Sequence, residues 1–176
     1  MRLARVLLLT ALFSVFASAT SIVPMSVEEL TQASSRIVEA RVLESHSEWS
    51  ADHSKIYTLS KVRVSSVLKG GSEREITIRQ PGGSADGYTM KVWGVRALQP
   101  GEQTMMFLRP SPQSDGTWSV VGLMQGNFHI YYAAGRKFAS NGITPRETRL
   151  KGGITSRSSS SALEEIETRV QEAQTK

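Results

Sequence analysis

Ile37-Val38-Glu39-Ala40-Arg41-Val42-Leu43 decides the fold class. Val38, Ala40 and Val42 alternate with the charged Glu39 and Arg41, the two-residue repeat of a strand with one face on a core and the other in water. A second long strand is expected over residues 56–68, with Thr58, Ser60, Val62 and Val64 on one face and Tyr57, Leu59, Lys61 and Arg63 on the other. Its β-branched and aromatic side chains suit a pleated, half-buried surface. The polar residues 45–54 between these strands read as a hairpin loop.

Working outward, five further strands are expected over residues 75–79, 88–93, 104–108, 118–123 and 127–132, making seven. Pro81-Gly82-Gly83, Asp86-Gly87, Pro100-Gly101, Asp115-Gly116 and Gly126 separate them. Glycine tolerates positive φ and proline fixes its own, so these are turn-formers. Short strands at turn-marked spacing predict a mainly β protein, a small antiparallel barrel or sandwich.

Helices flank the strands. Ser26 followed by Glu29 is a capping box, predicting a short N-terminal helix that buries Leu30 and Ala33. Ser161 and Glu164 repeat the pattern before Leu163, Ile166, Val170 and Ala173, which share one side of a terminal amphipathic helix. The serine-rich, basic residues 136–160 show no period and read as a linker. The expected organisation is a leader over 1–19, a β domain over 20–135, the linker, and a helix over 161–176.

The leader follows from Arg2 and Arg5, an apolar run over residues 6–16, and the small residues Ala17, Ser18 and Ala19. That is the pattern of a cleavable signal peptide, with cleavage expected after Ala19. The apolar run is about half of the ~20 residues a membrane-spanning helix needs. Loss of residues 1–19 takes the net charge from +5 to +3, so part of the basicity belongs to the leader. A secreted or periplasmic location is expected, with no membrane span after cleavage. The sequence has no cysteine, which excludes a disulfide framework, thiol catalysis, a thiolate metal site and a lipoprotein anchor.

The strand 37–42, a second strand ending Val67-Leu68-Lys69-Gly70, the strand Ile76-Thr77-Ile78, and Gly101-Glu102 leading into residues 104–108 together resemble the netrin-like domain of tissue metalloproteinase inhibitors and complement C-terminal modules. The same skeleton, with residues 122–128, resembles a group of uncharacterised exported bacterial proteins. The resemblance covers residues 34–132 and implies a five-stranded OB-like barrel with helices packed against it. In the inhibitors an N-terminal cysteine chelates the protease zinc; here the expected first residue is Thr20, so that mechanism does not carry over. Proteases remain the partner class implied by analogy.

Glu44, His46, Glu48, Asp52 and His53 are oxygen and imidazole donors that a hairpin could gather around a divalent ion, although a solvated polar loop collects the same residue types. His129, between Phe128 and Ile130, reads as a half-buried packing residue. No serine occupies a Gly-x-Ser-x-Gly elbow, and no Gly-x-x-x-x-Gly-Lys loop exists. Tyr57, Lys61, Arg63, Tyr88, Lys91 and Trp93 could form a base-stacking surface, but a modestly charged exported chain argues against nucleic acid. Trp49, Trp93 and Trp118 fall near loops or strand ends, where aromatics anchor a partner or plug a barrel end. Pro81, Gly82 and Gly83, leading to Tyr88 and Trp93, are the expected specificity loop.

The sequence therefore points to a monomeric, non-catalytic binding module without a resident cofactor, whose partner is an extracellular or envelope protein. Two alternatives stand beside it. One is a metal-assisted hydrolase using His46, Asp52 and His53; the other is an envelope protein that self-associates through its C-terminal helix.

Overall fold

The computed structural model describes residues 23–143 and 160–175. The expected leader and most of the expected linker lie outside them. Strand β1 (Arg36–Trp49) and strand β2 (Ile56–Lys69) form a long antiparallel ribbon closed by the short loop 50–55. Residues 45–49, expected in a polar loop, are strand. Ser45 and Ser47 meet Ser60 and Thr58 across the ribbon through hydroxyl–hydroxyl bonds of 2.8 and 3.0 Å. Cross-strand pairs of this kind stabilise a polar ladder that composition alone reads as loop.

Register shifts at Ile37/Val38, Glu39/Ala40 and Val42/Glu44 bend β1. The bent strand pairs with β2 on one edge and with β6 (Gln103–Pro110) on the other. Strand β3 (Glu75–Pro81) follows β2, and β7 (Trp118–Val120) bridges β3 and β6, closing the ring β1-β2-β3-β7-β6. The expectation of wholly antiparallel pairing is corrected at one junction, Ile78 opposite Trp118, where β3 and β7 run parallel. A closed ring with an odd number of strands cannot alternate direction throughout, so one parallel junction is required.

Short strands β4 (Gly83–Ala85) and β5 (Tyr88–Met90) form a separate hairpin through Asp86 and Gly87, both at positive φ as a two-residue turn needs. Beyond the ring, β8 (Asn127–Ala133), β9 (Arg136–Ser140) and β10 (Ser160–Ala162) extend the sheet from β6 to eight strands. Ten strands are present among the described residues, three more than expected. Residues 136–140 of the expected linker are strand because the Ala134-Gly135 turn folds them back on β8. The basic composition of that segment hides the pairing.

Helix α1 (Val27–Ala33) has the expected capping box: the Glu29 N–H donates to Ser26 Oγ at 3.2 Å, and the Ser26 N–H donates to Glu29 Oε2 at 2.7 Å. It buries Val27, Leu30 and Thr31, while Ala33, expected inside, is exposed. Helix α2 (Leu163–Gln174) is capped by Ala162 and not by Ser161, because Ser161 is taken into β10 opposite Ala139. Leu163, Ile166 and Val170 are buried as their spacing predicts. No helix among the described residues is long and apolar enough to cross a membrane.

The alternation of β1 now gains its meaning. Val38, Ala40 and Val42 fill the ring with Val62, Ile78 and Met106, whereas Ile37 faces outward into a second core. That second core holds Met105, Phe107 and Phe128 beneath Leu30, Ile166 and Val170. Both faces of the barrel wall are therefore apolar on this side, and the two helices cover the outer one.

Candidate functional site

The connection from β3 to β6, residues 82–102, contains the short hairpin and then an irregular stretch, and it leaves an open groove of about 580 Å³. Its lining comes from Pro81, Gly82 and Gly83, with Thr58 from β2, from Thr89 to Gly94, and from Met124 of the 3-10 turn Leu123–Gly126. Gly83, at φ +135°, lies directly on the ribbon: a Cβ there would overlap Ser47 Oγ and Thr58 Oγ1. The local fold thus demands glycine where the hairpin crosses β1 and β2.

The groove is predominantly apolar, and two of the polar side chains that line it, Thr58 and Gln80, are already engaged. Thr58 Oγ1 donates to the Gly82 carbonyl at 2.8 Å; Gln80 Nε2 donates to the Arg96 carbonyl at 2.9 Å, and Gln80 Oε1 accepts from the Leu98 N–H at 3.3 Å. Val92, Val95 and Met90 remain as lining. Trp93 stands at the rim with 95% of its surface exposed. Soluble proteins seldom leave the largest apolar side chain so bare beside an apolar depression, and such patches mark interaction sites.

On the other side of the hairpin Trp49 meets Tyr88 edge-on at 5.7 Å and stacks on His53 at 5.8 Å. Of the residues singled out from sequence, the structure therefore joins Pro81, Gly82, Gly83 and Trp93 in the groove, and Trp49, Tyr88 and His53 in an aromatic cluster beside it. Trp118 is apart, its ring under the buried Arg36 guanidinium at 5.3 Å.

The expected metal loop is arranged otherwise. Asp52 accepts from the Ser50 hydroxyl at 2.6 Å and from the Ser54 hydroxyl and N–H at 2.8 and 3.2 Å. These bonds, that from Ser50 foremost, hold its carboxyl down at about 2. His53 is stacked on Trp49, and His46 is exposed on β1 opposite Leu59. Among the described residues no three His, Asp or Glu side chains gather as a ligand set, so His46, Asp52 and His53 are ribbon and turn residues.

The basic residues weighed for nucleic acid are largely neutralised. Lys61 and Arg63 pair with Glu75 at 3.0 and 3.2 Å, and Tyr57 lies under Arg79 at 5.1 Å. His129 is corrected from a half-buried residue to a solvent-facing one: its Nδ1 lies 3.0 Å from Glu102 Oε1, which Arg96 Nη1 also holds at 2.5 Å. Phe128 and Ile130 point the opposite way, into the helix-covered core.

Lys91 and Val92 fall within the segment 81–94 expected to carry specificity, whereas Met124 was not expected there. The only signal available was the spacing of Pro81-Gly82-Gly83 and Trp93; Met124 arrives from a turn remote in the chain. No protein-family model and no curated protein matches the chain.

Proposed function

We propose that the protein is an exported binding module, without catalytic chemistry of its own, that engages an extracellular or envelope protein at the Trp93 groove. The observation that carries this reading is the 95% exposed Trp93 at the rim of an apolar groove of about 580 Å³. Concave apolar sites with a large aromatic anchor are where binding energy concentrates. The closed ring β1-β2-β3-β7-β6 supports an OB-like barrel, whose rims and loops commonly carry recognition. It is also compatible with the netrin-like resemblance, and by analogy proteases are the first partners to try.

The alternatives have less support. Asp52 and His53 are committed to the turn and its stacking, which weighs against the hydrolase; the apolar side of α2 is buried on the barrel, which weighs against self-association through it.

A bulky aromatic photo-crosslinking residue at position 93, which keeps a large apolar ring at the rim, compared with the same residue at the exposed Tyr132, tests the reading in the producing cells. A discrete protein adduct from position 93 alone is expected; equal adducts from both positions, or none, would count against it. N-terminal sequencing of the exported chain should begin at Thr20.

A further inference from the structure

Resting on that reading, we propose that the groove takes an extended peptide segment of the partner, one that places a large apolar side chain beside a carboxylate. Thr89 to Trp93 line the groove. Strand β5 pairs with β4 on one edge and, among the described residues, with nothing on the other. In a two-residue hairpin the pair flanking the turn, Ala85 and Tyr88, is hydrogen-bonded, so the main-chain groups of Thr89 turn toward the open edge. The Lys91 N–H that follows β5 donates to no other group among the described residues, and the chain then turns through Trp93 and Gly94, with the Val95 N–H on the Val92 carbonyl at 3.2 Å. An open edge with free donors beside an apolar depression is what strand addition uses: the main chain gives affinity and alternate side chains find pockets.

The chemistry of the lining selects among ligands. A glycan needs polar side chains converging on its hydroxyls, yet Thr58 and Gln80 are both spent on main-chain groups. An apolar side chain against Val92, Trp93 and Met124 makes no such demand. Lys91 is the one charged residue lining the groove, and no carboxylate within the described residues pairs with it, so a carboxylate on the ligand is its natural complement.

The test is fluorescence anisotropy with the protein lacking residues 1–19 and labelled peptides of about eight residues, β-branched throughout except for one phenylalanine and a glutamate two residues further on, which shares its face. A twin peptide carries lysine in place of the glutamate. The glutamate peptide is expected to bind about tenfold more tightly at low salt; Lys91→Glu should invert that order, and Trp93→Ala should weaken both peptides about tenfold or more. Both positions are exposed, and circular dichroism of each variant guards against misfolding. Equal binding of the two peptides, or binding that Trp93→Ala leaves unchanged, overturns the proposal. A neutral oligosaccharide panel is run in parallel. Trp93-dependent sugar binding without peptide binding, or a position-93 adduct with neither ligand bound, overturns the peptide assignment and leaves the binding-module reading standing. Absence of all three overturns both.

Discussion

The outer wall of the barrel under the two helices and the rim beside the β4–β5 hairpin are both apolar, yet one is covered and the other is bare. The covered wall is tied down at its margins by polar bonds. Arg169 forks onto both Glu28 oxygens at 2.8 Å, Lys69 Nζ donates to the Thr31 carbonyl at 2.7 Å, and Gln174 Nε2 reaches the Leu68 carbonyl at 3.2 Å. At the rim, Lys91 and Trp93 have no such tie among the described residues. An apolar face whose margins are saturated belongs to the fold, whereas one whose margins hold free donors and a free cation is open to something else.

The sharpest way to break that comparison is to cut into the covered wall. Phe107 is fully buried, 5.7 Å from the Phe128 ring, beneath α1 and α2. Phe107→Ala should cost about 3–5 kcal/mol, because the transfer energy is lost and a cavity remains. Urea denaturation measures it; a loss under about 1 kcal/mol would mean that the helices contribute little to stability.

Next in size is a pH effect at the same interface. Burial, and then the hydrogen bond with Glu167 of α2, push the Glu39 carboxyl from 4.5 up to about 7, with Lys137 at 3.9 Å opposing. The unfolded chain releases this proton near pH 4.5 while the folded chain keeps it to about 7, so the folded state binds more protons in between. Stability should accordingly fall as pH rises through that window, by up to about 3 kcal/mol, and level off above it. Glu39→Gln should flatten the slope and raise stability at pH 8. Denaturation midpoints across pH 4–8 that stay parallel in the two proteins would refute this.

Much of the barrel was legible because it is written in period. Val38, Ala40 and Val42 had to face one core, and Leu163, Ile166 and Val170 another, whatever the connectivity. What period could not supply was everything decided by pairing at a distance. Residues 45–49 are polar strand because β2 satisfies them, and residues 136–140 are strand because β8 does. Serine and histidine look the same in such a ladder as in a solvated loop. The groove was half legible: its glycines and Trp93 carry local signals, but Met124 and the free charge of Lys91 matter only through the neighbours the fold gives or denies them.

A smaller effect of opposite sign is expected from the tie between the helices. The Arg169 guanidinium beside Glu28 lowers that carboxyl from 4.5 to about 2, so its contribution is present above pH 4.5 and is lost as pH falls toward 2. Both side chains are about two-fifths exposed, at 42% and 38%, so Glu28→Gln should cost no more than about 1 kcal/mol at pH 7. The Glu28 and Glu39 contributions taken together are largest near pH 4–5, and below that the variant and the parent should converge. Thermal denaturation at pH 7 and pH 2.5 checks both statements, and a constant difference at the two pH values would contradict the assigned sign.

The smallest expected effect on stability is at the bare rim, and it is the one that separates the two regions most cleanly. Trp93 buries almost nothing within the chain, so Trp93→Ala removes little transfer energy and leaves no cavity; its denaturation midpoint should stay within about 0.5 kcal/mol of the parent. A side chain of that size that contributes nothing to stability can act only through contacts outside the chain. The same variant should therefore lose the peptide affinity while its unfolding curve overlays that of the parent. A destabilisation of about 2 kcal/mol or more would show that Trp93 packs against its own chain in solution, making the rim a second covered face.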